Sequence, residues 1–104
     1  MRTGDEFRHT IRRGTKVARP TLVTHVVPGT GGTTSVGFVV SKAVGGAVTR
    51  NRVKRRLRHL MRERLASLPE GSRVVVRALP ASAAQDSDSL AADLDRALAR
   101  AGAR

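Results

Sequence analysis

The stretch Arg50-Asn51-Arg52-Val53-Lys54-Arg55-Arg56-Leu57-Arg58-His59-Leu60-Met61-Arg62-Glu63-Arg64 constrains the fold of this chain most tightly, because it must bury one side and display a dense charge on the other. Val53, Leu57, Leu60 and Met61, continued by Leu65 and Leu68, recur at helical spacing and predict one buried stripe. Wound at about 3.6 residues per turn, Arg52, Arg55, Arg56, His59 and Arg62 fall on the opposite face, and Lys54 and Arg58 flank the stripe. Eight Lys or Arg residues stand here against the single carboxylate of Glu63.

Such a helix opposes its own stability. Arg50/Lys54, Arg52/Arg56, Lys54/Arg58 and Arg58/Arg62 are like-charge pairs one turn apart, each unfavourable by roughly 0.2–0.5 kcal/mol. Arg50, Arg52 and Lys54 also crowd the positive end of the helix dipole, at about 0.3–1 kcal/mol each. A solvated face would mix signs. A one-signed face set against the dipole is better explained by a polyanion that relieves the repulsion.

Composition agrees. Lys plus Arg number 20 and Asp plus Glu 8, a net charge of +12 that suits a polyphosphate partner. A membrane-surface helix would need bulky apolar residues free for lipid, but there is no Trp or Tyr, and the apolar stripe is needed for a core. No run is apolar enough to span a bilayer, and the start Met1-Arg2-Thr3-Gly4-Asp5-Glu6 has no apolar signal-peptide core, so a cytoplasmic protein without a membrane partner is expected. The absence of cysteine excludes disulfides, thiol catalysis and cysteine-ligated zinc. His9, His25 and His59 have no metal-ligand spacing. Asp86, Asp88, Asp93 and Asp95 lack a ligand loop and read as a helix cap, assigned to Asp88, and a solvated face. No paired-carboxylate or Ser/His/Asp arrangement can be argued, so the chain reads as a binder without catalytic machinery of its own.

At 104 residues the chain fits a single domain over 1–104. A first helix is expected over about 4–13, with Phe7 and Ile11 on one side, Arg8, Arg12 and Arg13 around the other, and Gly14 as its stop. Short strands follow at 16–18, 22–27 and 35–41, the last two expected to pair as a hairpin around the glycine-rich tip Pro28-Gly29-Thr30-Gly31-Gly32-Thr33-Thr34. Those glycines open no helix and make no dinucleotide fingerprint. His25 shares a strand face with Val23 and Val27 and by itself reads as a partly buried structural histidine. The basic helix, capped by Thr49 or Asn51, should reach about Ser67 before Pro69 and Gly71. A strand over 73–79 puts Arg73 and Arg77 on one face, residues 81–87 form a linker, and Leu90, Leu94, Leu98 and Ala101 mark a last helix stopped by Gly102. The order α-β-β-β-α-β-α is an α+β fold of one small sheet with helices against it.

The string Gly37-Phe38-Val39-Val40-Ser41-Lys42-Ala43-Val44-Gly45-Gly46-Ala47-Val48-Thr49-Arg50-Asn51-Arg52-Val53-Lys54-Arg55-Arg56-Leu57-Arg58 resembles the signature of the bacterial ribonuclease P protein family: a strand ending Gly-x-x-Val-Ser-Lys, then Val-Gly, then Arg-Asn-Arg-x-Lys-Arg on a helix. The likeness covers nearly the whole chain, including Glu6-Phe7 before the Arg-rich first helix and Val74-Val75-Val76-Arg77 before the last. It implies a four-stranded sheet with a left-handed βαβ crossover, against the usual right-handed rule. It also implies a subunit of the ribonuclease P endonuclease that removes the 5′ leader of precursor tRNA. In that holoenzyme the RNA subunit performs the hydrolysis with Mg2+ held mainly by RNA. The protein binds no cofactor itself, and one protein serves one RNA.

The resemblance assigns Lys42, Arg50, Asn51, Arg52, Lys54, Arg55, Arg56 and Arg58 to the catalytic RNA, and Phe7, Arg8, Arg12, Val23, His25 and Arg77 to a cleft for the leader. The chain departs from the family pattern in places. It begins close to the first helix, from which a start codon further upstream is expected; Ile11 and His25 stand where aromatics are common, and Ala43 and Gly46 where lysines are common. With few rings, leader binding is expected to lean on electrostatics. A ribosomal protein or general RNA chaperone would share the charge but bind RNAs without preference. A DNA module would usually mix Asn, Gln and Ser into its reading face.

Overall fold

The computed structural model describes residues 4–27, 29 and 32–101; Met1, Arg2, Thr3, Pro28, Thr30, Gly31 and Gly102, all read above, lie outside the described residues. The order is α1 (Gly4–Arg13), β1 (Thr15–Ala18), β2 (Leu22–Val27), β3 (Ser35–Val39), α2 (Ala47–Arg64), β4 (Arg73–Ala78) and α3 (Ser87–Arg100), with short 3-10 turns at Leu65–Ser67 and Pro80–Ala83. This is the expected α-β-β-β-α-β-α arrangement around one four-stranded mixed sheet.

The strands lie in the order β1-β2-β4-β3. β2 pairs antiparallel with β1 and with β4, and β3 pairs parallel with β4. The expected β2–β3 hairpin is therefore wrong. β4 inserts between them, so that Val27 and Ser35 both flank Arg73, and Gly29 and Gly32 have positive φ. Local reading favoured the hairpin because the strands are close in sequence; the competitor, Val74-Val75-Val76, is buried on both faces and belongs at the sheet's centre.

Strand alternation separates the two faces. Val17, Val26, Val36, Phe38, Val74, Val76, Leu22 and Ala78 point into the core, where Val53, Leu57, Leu60 and Met61 of α2 and Leu90, Leu94, Ala97 and Leu98 of α3 cover them. The other face carries three rows across the sheet: Ala18–Val23–Arg77–Val39, Lys16–His25–Val75–Gly37, and Val27–Arg73–Ser35. α1 packs there, against β2 and β4, with Thr10 fully buried and Glu6 3.6 Å from Arg73.

Several boundaries differ from expectation. α2 starts at Ala47 with Gly46 as N-cap and no side-chain cap, so Thr49 and Asn51 sit inside the helix. Its α-helical part ends at Arg64, and Leu65 is 40% exposed. The stripe instead passes through Arg64, whose side chain spans to α3 and forks onto Asp95 at 2.6 and 3.1 Å. Asp86, not Asp88, caps α3, accepting from the Ser89 N–H at 2.8 Å. Gly71 occupies a left-handed turn, φ 80°, that a side chain would strain.

Asp93 ties α3 to the β1–β2 turn. Its Oδ2 accepts from the Thr21 hydroxyl at 2.6 Å and the Thr21 N–H at 3.0 Å, and Oδ1 lies 3.6 Å from Arg19. Burial pushes this carboxyl up, but the Thr21 donors and Arg19 outweigh it and hold it below the usual range. A folded-state pKa below the unfolded one contributes stability above the unfolded value and loses it as pH falls through the folded value. Asp93→Asn should lower stability at neutral pH by about 2 kcal/mol. It should also flatten the loss of stability below the ordinary carboxylate range; urea melts over acid pH check this, and parallel curves for the two proteins would exclude the coupling.

Candidate nucleic-acid interface

The surface of α2 is built by what its buried stripe leaves over. With Val53, Leu57, Leu60 and Met61 in the core, Asn51, Arg52, Lys54, Arg55, Arg58, His59 and Arg62 are exposed, and Arg50 and Arg56 are half-buried. No acidic residue stands in the first turn. Lys42 is exposed in the turn that leads from β3 into the helix.

These side chains divide along the helix. On one flank Arg50, Asn51 and Lys54 line a depression with Val40 and Ala47, which continues along Asn51, Lys54, Arg55 and Arg58. The Arg50 Nε is enclosed without a hydrogen-bond partner. On the other flank Arg52 and Arg56 lean toward the segment before α3, donating to the Ala83 carbonyl at 3.2 Å and the Gln85 carbonyl at 3.1 Å. Arg55 lies between and borders both flanks. His59 Nε2 is 3.8 Å from Glu63, the surface pair expected from their spacing. The structure thus brings all eight residues expected at the catalytic RNA onto α2 and the turn before it. Guanidinium forks of this density match phosphate oxygens.

The residues expected at the leader occupy the opposite side of the sheet. Val23 and Arg77 are direct cross-strand partners, and His25 lies in the next row between Lys16 and Val75. Phe7 is half-buried on α1; Arg8 and Arg12 lie on its exposed side, Arg8 paired with Asp5. Lys16 was missed by sequence reading: alternation gives its face, but only the strand register puts it opposite His25.

His25 is 4% exposed, and neither ring nitrogen has a hydrogen bond of sound geometry. Burial pushes its pKa down, the Arg77 and Lys16 charges add to this, and the nearby Ile11 carbonyl opposes it. The ring is therefore neutral near pH 7 and works as a packed element under α1, closer to the structural reading of this residue than to an open stacking ring. Three carboxylates are engaged within the fold: Asp86 in a cap, Asp93 with Thr21 and Arg19, Asp95 with Arg64.

Known proteins share this sequence and fold. The family model Ribonuclease P matches residues 1–102. The chain is 54% identical to the ribonuclease P protein component of Streptomyces avermitilis, covering 96% of this chain and 89% of that protein. It is 53% identical to that of a Nocardioides species, covering 99% and 91%. Among solved structures, the ribonuclease P protein of Staphylococcus aureus superposes with a TM-score of 0.85 at 22% identity, covering 97% of this chain and 93% of that one. That of Thermotoga maritima gives 0.82 at 22% identity, covering 96% and 94%. The fold and the sequence agree, and this chain belongs to the ribonuclease P protein component family.

Proposed function

We propose that the chain is the protein subunit of a cytoplasmic ribonuclease P, joined one to one with a catalytic RNA, and that it promotes removal of the 5′ leader from precursor tRNA. The observation that carries this reading is the one-signed face of α2, uncapped and without an acidic residue in its first turn. Such a face is unfavourable alone and favourable against RNA phosphates. The RNA subunit supplies the hydrolytic chemistry and holds the Mg2+. The protein supplies two surfaces on opposite sides of its sheet: α2 for the catalytic RNA, and the α1-bordered face with Phe7, Arg77 and Lys16 for the leader, where Val23, buried like His25, forms part of the floor.

Reconstitution tests the proposal. The protein is mixed with a bacterial ribonuclease P RNA and precursor tRNA at low Mg2+, and leader release is followed. Protein-dependent cleavage that also requires the RNA supports the reading. Cleavage without the RNA, or no stimulation alongside equal binding to unrelated RNAs, overturns it.

Phe7→Ala tests the leader surface separately. A stacked base contributes on the order of 1–3 kcal/mol, so affinity for precursor tRNA should fall at least about fivefold. Mature tRNA, which has no leader, should bind as before. Equal losses for both would remove Phe7 from the leader surface.

A further inference from the structure

We infer that the groove between α2 and the start of α3 seats one phosphate of the RNA backbone, extending the RNA interface onto α3; this rests on the function proposed above. The groove is lined by Arg52, Arg55, Arg56, His59, Leu60 and Ser87. Ser87 is the first residue of α3, and its side chain belongs to neither surface described so far.

The groove is held open by bonds that have no evident use in stability. Arg52 and Arg56, a like-charge pair one turn apart, each donate to an exposed backbone carbonyl, of Ala83 and of Gln85. Water would satisfy such carbonyls equally well, while ordering two long side chains is unfavourable. What the tethers achieve is orientation. A guanidinium has five N–H donors, so one bond to a carbonyl leaves the rest available to a second acceptor. The carbonyls of Ala83 and Gln85 act as positioning groups that fix both forks along one wall. Arg55, His59 and Ser87 border the same space, and Ser87 carries a hydroxyl that can donate without charge. Several donor-bearing side chains around one opening suit a tetrahedral oxyanion with several acceptor oxygens. Asp86 stands near Arg56, and its cap to Ser89 keeps it ionised, so its one negative charge offsets part of the positive charge of Arg52, Arg55 and Arg56.

Ser87→Asp tests the site without endangering the fold, because an acidic residue in the first turn of a helix is favourable. It places a negative charge where the phosphate would sit. Affinity for the ribonuclease P RNA should fall about tenfold, as expected for like charges brought together at an interface. Ala99→Asp carries the same charge change twelve residues further along α3, about 18 Å away, and should reduce affinity less than about twofold. Equal losses for the two variants would overturn the site. Arg58→Ala, on the other flank of α2, keeps the two readings apart. If it weakens RNA binding and Ser87→Asp does not, only the groove is lost. If wild-type protein shows no preference for the RNA, the proposed function fails first. Inorganic phosphate at constant ionic strength separates the two phosphate sources. Competition with RNA that is lost in Ser87→Asp supports an RNA-backbone seat. Phosphate binding to the groove that leaves RNA affinity unchanged would assign the groove to the free ion and overturn the backbone assignment.

Discussion

Arg52→Ala combined with Arg55→Ala should reduce affinity for ribonuclease P RNA by roughly 3 kcal/mol, more than a hundredfold, taking about 1.5 kcal/mol for each charge-assisted contact. The salt dependence should flatten as well, by about one unit of log–log slope for each phosphate contact removed. The direction of the stability change makes the result diagnostic. Both side chains lie on the exposed face, and neither belongs to the core. Arg52 is repelled by Arg56 one turn away along the helix, so its truncation relieves a like-charge pair. The double variant should therefore melt no lower than the parent while losing most of its RNA affinity. Binding titrations at several salt concentrations, together with a thermal melt, check both parts. An unchanged slope would rule out direct phosphate contact by this face; a fall in melting temperature parallel to the loss of affinity would mean that the arginines act through folding.

This separation between a stability-neutral face and a core-forming face is why α2 was so legible in the sequence. Its two residue classes alternate at one period, and nothing else in the chain competes for that interpretation. Strand β2 was bounded correctly over Leu22–Val27 for a similar reason, with prolines on either side. Pairing was not legible. Val74, Val75 and Val76 give no alternation from which to choose a neighbour, and each residue of β3 lies 38 residues from its parallel partner in β4. Only the family resemblance suggested a crossover between β3 and β4, while local proximity pointed to a hairpin.

The two functional surfaces differ in the same way. The α2 set could be written down because one helix holds nearly all of it. The sheet surface is assembled from α1, β1, β2 and β4, so its members are distant in sequence and Lys16 was missed. The limit also applied to ends and caps. Arg64 looked like one more cation of the basic run, yet its fork onto Asp95 makes it the link between α2 and α3. Asp88 looked like the cap because it is acidic and early, but the 3-10 turn at Pro80–Ala83 places the helix start so that Asp86 takes that position. In each case a residue's type was read correctly, and its partner was fixed by a distant segment that no local pattern specifies.

Gly14 illustrates this most sharply and gives the second large expected effect. Its position after an Arg-rich helix reads as a stop that needs left-handed backbone, yet Gly14 is absent from the positive-φ glycines. The reason for glycine is space. A Cβ there would lie 2.5 Å from the Thr10 carbonyl oxygen and 2.9 Å from the Val26 nitrogen. Both neighbours are backbone, one in α1 and one in the central part of the sheet, so neither can rotate away as a side chain would. Gly14→Ala should therefore fall at the upper end of the overpacking range, about 3 kcal/mol. At roughly 4–8 °C per kcal/mol for a domain of this size, the melting temperature should drop by more than about 10 °C. The loss should also be uneven in function. Forcing α1 away from β2 disturbs Phe7, Thr10 and the cover over His25, while α2 lies on the other face of the sheet. Below its melting point, Gly14→Ala should lose discrimination between precursor and mature tRNA while still binding the catalytic RNA. Retained leader discrimination with a lowered melting temperature would show that α1 only stabilises the sheet, and that the leader is held elsewhere on the protein.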